Sequence, residues 1–575
     1  MGEVMLYLRD YQVKATDAVI DSLKNPESCP IISMATGTGK SIVIASIIQR
    51  LLNPYPKLRI VMATHVSELI VQNHKKLKHL IPDADTGIYS AGLGLKSLNS
   101  QITFAGIQSI HKADFNTPIN LLLVDECHLI SKKDSSMWKS FIEKLRSKND
   151  KLRIVGLSAT AFRLDSGSLI DGEGSLFNNI CFDYGLGRAI NDGWLCSLTA
   201  KQTHTKIDFS KVRIENGEYK TSDVDDAFNI DEITNKIVNE VISKAGDRKS
   251  WLFFCSSVKH SLAVRDCLRS KGIITETVSG DTPAPERDGI LKGFQDGKIK
   301  AVTNFGVWTT GVDIPNVDMI VMMRKTASGG LLLQMAGRGT RSTINLGTYS
   351  TSKERKEAIA KSDKSNCLFL DYGGNIEEHG MLDQIKAKDK KEKGDKPPPL
   401  KFCPECEELL YASARECKVC GHKFSTGIEG ATLLKTGYDG AVVSGETWFE
   451  DVENVTYHIH NQEKDGKIPC LKVNYKLLNG TCMSEYVCLQ HKGKARQNAL
   501  QWWKIHNGAF PAPENIEYML NMGVAQNLLI PSRIEIAMDG KYKRVINYDF
   551  SLRIDEDKTS PAMSCNFDDE TDFTL

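Results

Sequence analysis

An apolar run, Pro30–Met34, opens into Ala-Thr-Gly-Thr-Gly-Lys-Ser at positions 35–41 and then into a helical stretch, IVIASIIQRLL. A strand, a glycine loop and Gly-Lys-Ser in that order read as a phosphate cradle. Gly37 and Gly39, with Thr36 and Thr38 beside them, let backbone N–H groups turn inward toward phosphate oxygens. Lys40 supplies a point charge for β and γ phosphates, Ser41 offers a hydroxyl to Mg²⁺, and the helix N-terminus adds its dipole. A chance glycine turn is the competing reading. The strand on one side and Lys-Ser on the other weigh against it.

The same strand-to-helix alternation surrounds the loop. Apolar runs at 30–34, 58–64, 101–105, 120–124 and 152–158 are separated by helical patterns, which predicts β-α units and a parallel sheet. The alternation stops near Ala200, and a polar stretch runs from Thr203 to Asn229. A second alternating block starts at Ser250 with WLFFCSS and closes with NCLFLDYGGN. Residues 386–401, KAKDKKEKGDKPPPLK, read as a solvated, semi-rigid linker. Beyond a short cysteine module, alternating segments such as CLKVNYKLL predict a β-rich domain. The expected boundaries are 1–200 and 249–378 for two α/β domains and 201–248 for a polar connection. The linker is expected at 379–400, the cysteine module at 401–425, the β-rich domain at 426–552 and an acidic tail at 553–575.

A formal net charge of +1 over 575 residues means that any nucleic-acid binding would need positive charge gathered into a cleft. Nothing near the N-terminus reads as a signal peptide, and no apolar run approaches the ~20 residues of a membrane span. Most of the fifteen cysteines lie singly in apolar strands, as with Cys181, Cys255, Cys267 and Cys367. Reduced thiols of that kind predict an intracellular, cytoplasmic protein without membrane partners.

Asp125 and Glu126 end the apolar strand LLLV and open the segment Asp-Glu-Cys-His128. Two adjacent carboxylates at a strand end suit metal-assisted hydrolysis: Asp125 for Mg²⁺, Glu126 to orient and deprotonate water. The order Tyr11-Gln12, ATGTGKS, DECH, Ser158-Ala-Thr160 and Gln334-Met-Ala-Gly-Arg-Gly-Thr-Arg341 resembles the superfamily 2 DEAD/DEAH-box helicases. That resemblance implies two tandem RecA-like parallel-sheet domains and an ATP-hydrolysing motor. It further implies that Gln12 reads adenine and that Gly311 and Asp313 face nucleotide and ribose. His128, Ser158 and Thr160 would couple hydrolysis to domain movement, and Gln334, Arg338 and Arg341 would reach across the cleft. Phosphoryl transfer spreads negative charge over γ-phosphate oxygens, so an arginine there is worth roughly 10³–10⁵ in rate.

Loops after strands carry the candidate nucleic-acid contacts: Thr64 and His65, Gln108 and Ser109, Ser257, Thr303 and Asn304. Small hydroxyl and amide groups there suit phosphate oxygens. Ordinary capping of strand-end loops suits them equally.

Cys403-Pro-Glu-Cys406 and Cys417-Lys-Val-Cys420 are two CxxC knuckles at the spacing of a closed, structural Cys₄ Zn²⁺ site. His422 adjoins a set that four thiolates already complete. SGDT (279–282), TTGVD, CLFLDYGGN, the loop EELLYASARE and the C-terminal LKVNYKLLNGTCMSEYVCLQ are together similar to the bacterial RadD family of DNA-repair ATPases, or a phage or mobile-element relative of it. The family implies work in recombination and repair beside single-strand-binding protein and a RecA-type recombinase. The single cysteine cluster and the insertion Ser352–Ser365 depart from its pattern.

The expected fold is therefore two RecA-like domains, a small Cys₄ zinc module and a β-rich C-terminal domain. The expected activity is an ATP- and Mg²⁺-dependent helicase or translocase on single-stranded or branched DNA. An RNA helicase shares the same core. An ATP-switched scaffold, binding proteins through its zinc and C-terminal domains, is the alternative of another class. Lys492, Lys494 and Arg496 near Trp502 and Trp503 suit base stacking, while a helix that buries its tryptophans is the blander reading.

Overall fold

Five apolar runs of the first block fold as strands buried at every position: Pro30–Met34, Ile60–Thr64, Ile102–Gly106, Leu121–Asp125 and Arg153–Ser158. Cover on both faces explains why they read as continuous hydrophobic runs rather than alternations. They belong to an eight-stranded sheet in the order Asn179–Tyr184, Pro30–Met34, Arg153–Ser158, Leu121–Asp125, Ile60–Thr64, Ile102–Gly106, Thr86–Ser90, Leu95–Lys96. Every neighbouring pair is parallel except the last.

The structure is a computed structural model. It describes residues 8–130, 137–160, 162–163, 167–170, 175–201, 203–205, 207–215, 218–228, 232–309, 311–382, 385, 400–402, 409–411, 423, 440–441, 447–460, 468–491, 494–506, 512–513, 515–539 and 542–550. Cys403, Cys406, Cys417, Cys420, His422, Lys492 and the acidic tail lie outside the described residues. Among those described, no helix is long and apolar enough to cross a membrane.

The phosphate loop joins the strand Pro30–Met34 to the helix Lys40–Leu52. That helix buries Val43, Ile44, Ile47, Ile48 and Leu51 in the core. At roughly 1.5–3 kcal/mol for each buried side chain, packing fixes where the helix starts, and with it the loop.

The second block forms a seven-stranded sheet in the order Thr275–Val278, Ala301–Asn304, Trp251–Cys255, Met319–Met323, Asn366–Asp371, Ser197–Ala200, Gly440–Ala441. It too is parallel apart from the final pair. Ser197–Ala200 corrects the expected first boundary at residue 200, because it pairs in parallel with Asn366–Asp371 of the second sheet. The chain therefore leaves the first sheet after Tyr184. Four residues of SLTA are too few for local pattern to choose a sheet, so the distant partner decides. Cys267 likewise lies on the helix Val258–Ser270 rather than on a strand.

Ser257 caps that helix by accepting from the His260 amide. The His260 ring is buried, with Nδ1 2.7 Å from Ser256 Oγ, and burial pushes its pKa down to about 4. As pH falls from 6.5 toward 4 the unfolded chain gains a proton that folded His260 refuses. Stability present above pH 6.5 should thus decline by up to about 3 kcal/mol across that window. Denaturation midpoints of wild type and His260→Gln across the window check this, with the slope expected to flatten in the variant.

The chain divides into two compact units, the first holding both parallel sheets and the second beginning at Gly445. The second unit contains a five-stranded antiparallel sheet in the order Cys482–Val487, Cys470–Leu477, Thr447–His460, Arg533–Asp539, Tyr542–Asp549. Trp502 and Trp503 are buried in its core with Ala499, Ile516 and Met519. Trp502 Nε1 donates to Glu485 Oε1 at 2.7 Å, and Tyr548 donates to Glu485 Oε2 at 2.7 Å. The tryptophans therefore do core work here, which is the blander of the two readings.

Candidate active site

Glu126 is the only described non-glycine residue with a left-handed backbone, at φ 53°. Such a conformation costs of order 1 kcal/mol or more and persists only where the surroundings enforce it. It lets the strand Leu121–Asp125 stop abruptly, so that consecutive carboxylates project into one cleft. Glu126 Oε1 lies 3.7 Å from Lys40 Nζ, and Lys40 also donates to the Met34 carbonyl at 3.3 Å. Burial works to raise the Glu126 carboxyl, but surrounding positive charge, Lys40 foremost, outweighs it and holds the group low. Glu126 is thus an ionised, water-poor carboxylate, suited to accepting a proton.

Asp125 has the opposite balance. Burial, helped by Glu126 beside it, pushes its carboxyl up to about 6. Oδ2 accepts from Asn73 Nδ2 at 3.0 Å and Oδ1 from the Glu126 amide at 3.0 Å. Asn73 is fully buried on the helix Ser67–Leu80 and went unnoticed in the sequence, where an amide mid-helix gives no signal. A buried carboxylate made costly to ionise, in a cleft it shares with the Ser41 hydroxyl, fits a hard divalent cation such as Mg²⁺.

Gly39 is the N-cap of the helix Lys40–Leu52 and has φ 85°, with no side chain capping the helix. The first-turn N–H groups are therefore available to an anion. A Cβ at Gly39 would also stand 2.5 Å from Gln12 Nε2. Gln12 donates Nε2 to the Thr38 carbonyl at 3.0 Å and accepts from the Arg9 amide at 3.0 Å, so it braces the loop from outside. Thr38 Oγ1 closes the loop on the Ala35 carbonyl at 2.7 Å.

The second lobe supplies the other wall. The helix Gly329–Ala336 ends at Gly337, where a Cβ would lie 2.8 Å from Thr36 Cβ, so only a bare backbone can sit this close to the phosphate loop. Gln334 Nε2 lies 3.1 Å from His128 Nε2. An amide nitrogen can only donate, so the His128 ring proton is on Nδ1, 3.0 Å from Ser158 Oγ and 3.3 Å from Glu126 Oε2. Burial lowers the His128 pKa and keeps the ring neutral, so its approach to Glu126 is a polar contact and not an ion pair. Ser158 Oγ also accepts from the Thr160 amide at 3.1 Å. Gln334, His128, Ser158 and Thr160 thus form one continuous chain from lobe to lobe.

Arg338 and Arg341 both line the cleft but are held differently. Arg338 is buried, and its guanidinium donates to the carbonyls of Thr309 and Val312. Burial and neighbouring Arg341 push its pKa down to about 9, which still leaves it charged at neutral pH. Arg341 pairs with Asp313 through Nε at 3.1 Å and donates to the Val312 carbonyl at 2.7 Å. Its Cγ approaches the Cβ position of Gly37 to 3.2 Å. Asp313 spends its carboxylate on Arg341, and Gly311, at φ 78°, presses against Val66 and Glu68 of the first lobe.

At the mouth of the cleft Trp194 is sandwiched between two guanidinium groups, Arg9 at 4.5 Å and Arg355 at 4.0 Å from its ring centroid. Tyr11 stacks on Tyr184 at 4.2 Å and donates its hydroxyl to the Thr38 carbonyl at 2.8 Å. The Trp194 stack was not foreseen, because its three members lie far apart in sequence.

The seven loop residues singled out for nucleic acid are placed mostly in capping roles. Thr64, Thr303 and Asn304 are buried, with Thr303 donating to the Ser261 carbonyl and Asn304 accepting from the Trp308 amide. His65 accepts from Trp138 Nε1, Ser109 from the Ala91 amide and Ser257 from the His260 amide. Gln108 is exposed.

Residues 5–163 match the family described as Type III restriction enzyme, res subunit, and residues 233–343 match the helicase conserved C-terminal domain. A Saccharomyces cerevisiae protein named as ATP-dependent helicase IRC3 is 31% identical over 349 residues, covering 58% of this chain and 49% of that protein. A 51.5 kDa protein of a Lactococcus phage is 30% identical over 219 residues, covering 38% of this chain and 45% of that protein. The solved structure of an ATP-dependent Type ISP restriction-modification enzyme, LlaBIII, bound to DNA is 16% identical with a TM-score of 0.45, covering 63% of this chain and 27% of that one. The chain spans about half the length of these curated relatives.

Proposed function

We propose that this chain, whose two matched domains support a superfamily 2 helicase core, is an ATP-hydrolysing motor that works on DNA. One observation carries the reading: Glu126, in a strained left-handed backbone, is poised beside Lys40 in a cleft walled by Arg338 and Arg341 of the other lobe. The phosphate loop and Lys40 bind the β and γ phosphates. Asp125 and Ser41 would hold Mg²⁺, which would supply positive charge to those oxygens. Glu126 Oε orients a water and takes its proton. Arg341 reaches the γ-phosphate from across the cleft, while Arg338 holds the carbonyls of Thr309 and Val312. Release of the cleaved phosphate removes the anion that draws the lobes together, and the His128–Gln334 contact is a point at which they part.

Lys40→Ala should reduce turnover to background while the variant stays folded. Steady-state phosphate release checks this, and retained turnover overturns the site. The choice of DNA rests on the resemblance in SGDT, TTGVD and CLFLDYGGN, as do action in recombination or repair and the partners single-strand-binding protein and a RecA-type recombinase. ATPase stimulation by single-stranded DNA, duplex DNA, branched DNA and RNA tests the polymer. Stimulation by RNA above every DNA removes the DNA assignment. The two CxxC knuckles, Cys403, Cys406, Cys417 and Cys420, are assigned a structural Zn²⁺ on their spacing alone.

A further inference from the structure

Two cysteines and a histidine of the C-terminal sheet take no part in the function above. Cys470 starts the strand Cys470–Leu477, and Cys488 follows the strand Cys482–Val487 directly. Leu471 pairs with Val487, so the next rung outward sets Cys470 across from Cys488. Leu471 and Val487 are buried in the core. Strand alternation therefore turns both cysteines to the opposite, outer face. The thiols elsewhere behave otherwise: Cys255 and Cys367 are sealed in the core, whereas Cys470 and Cys488 are half-buried.

We propose that Cys470, Cys488 and His491 bind a zinc ion that staples the open end of this sheet. Cys470 Sγ and Cys488 Sγ lie 3.1 Å apart, and Cys470 Sγ lies 4.0 Å from each ring nitrogen of His491. All three donor atoms fall within 4.8 Å of one another, the one such grouping among the described residues. A tetrahedral zinc with Zn–S near 2.3 Å and Zn–N near 2.0 Å sets its sulfurs about 3.8 Å apart and its S–N pairs about 3.6 Å apart. The sulfur pair would open by about 0.7 Å and the Cys470–His491 pair close by about 0.4 Å, shifts within the reach of side-chain rotation.

The sequence spacing agrees. Cys488-Leu-Gln-His491 is a C-x₂-H knuckle on a turn, and Cys470 faces it from the neighbouring strand, as in structural zinc sites. His460, paired with Cys470 in the ladder on its other side, sets a further imidazole on the same rung. His460 itself packs its ring against Tyr486 at 4.8 Å, which leaves Cys470, Cys488 and His491 as the clustered donors.

The test uses the full chain, purified with reductant, and does not depend on the state of the two CxxC knuckles. Metal analysis of wild type, Cys488→Ser and His491→Ala should show each variant lower than wild type by about one zinc per chain. Equal zinc in all three overturns the proposal. A second measurement needs no variant: the native protein is alkylated with and without chelator and the modified cysteines are mapped by mass spectrometry. Cys470 and Cys488 should be protected until chelator is added. Free alkylation of both beforehand, or their recovery as a metal-free disulfide, overturns the site.

Discussion

Glu126→Gln should slow ATP hydrolysis by about 10²–10⁴-fold and leave ATP binding intact or slightly tighter. Glutamine matches glutamate in shape, so the left-handed turn after the strand Leu121–Asp125 is kept. An amide cannot take a proton from water, and that is the lost function. The substitution also removes a negative charge from beside Asp125, whose carboxyl is pushed up to about 6 partly by Glu126. Asp125 then ionises more readily, so Mg²⁺-dependent binding is not weakened. Single-turnover hydrolysis beside equilibrium nucleotide titration separates the two effects. Loss of binding in the variant would show that Glu126 is a structural support of the site and not its base.

Arg341→Ala should lower turnover by about 10³-fold or more with little change in thermal stability. The side chain meets Asp313 and one carbonyl at the cleft, and its stem lies over the phosphate loop at Gly37. Arg338→Ala differs, because it also leaves the buried carbonyls of Thr309 and Val312 without their donor. At about 1–3 kcal/mol for each orphaned group, Arg338→Ala should unfold at clearly lower temperature than Arg341→Ala. Measuring turnover and melting temperature on both variants checks the division of labour. Wild-type turnover by Arg341→Ala would remove it from the reaction.

Much of this site is legible in the sequence, for a physical reason. The phosphate loop, the Asp125–Glu126 pair and the 334–341 motif are each short and local, so one segment carries the geometry it needs. Strands buried on both faces announce themselves as apolar runs, and the five runs of the first block fall within two residues of the observed strands. What escaped depends on distant parts of the chain. Asn73 reaches Asp125 from another helix, and Arg9, Trp194 and Arg355 meet only after both lobes form. Ser197–Ala200 joins the second sheet because Asn366–Asp371 offers it an edge. Cys470 and Cys488, eighteen positions apart, become neighbours through strand register alone. Thr64, Thr303 and Asn304 show the converse, where a motif position drew attention to side chains that the fold buries.

The central claim is that one nucleotide is processed between two lobes of the same chain. Mixing Glu126→Gln protein with Arg341→Ala protein and measuring steady-state ATPase tests it most directly. If base and arginine serve one cleft within one chain, every chain in the mixture lacks one of them, and activity stays at the average of the two variants. If the arginine acts on a neighbouring molecule, the mixture pairs an intact base with an intact arginine. Activity well above that average, rising with protein concentration, would contradict the account.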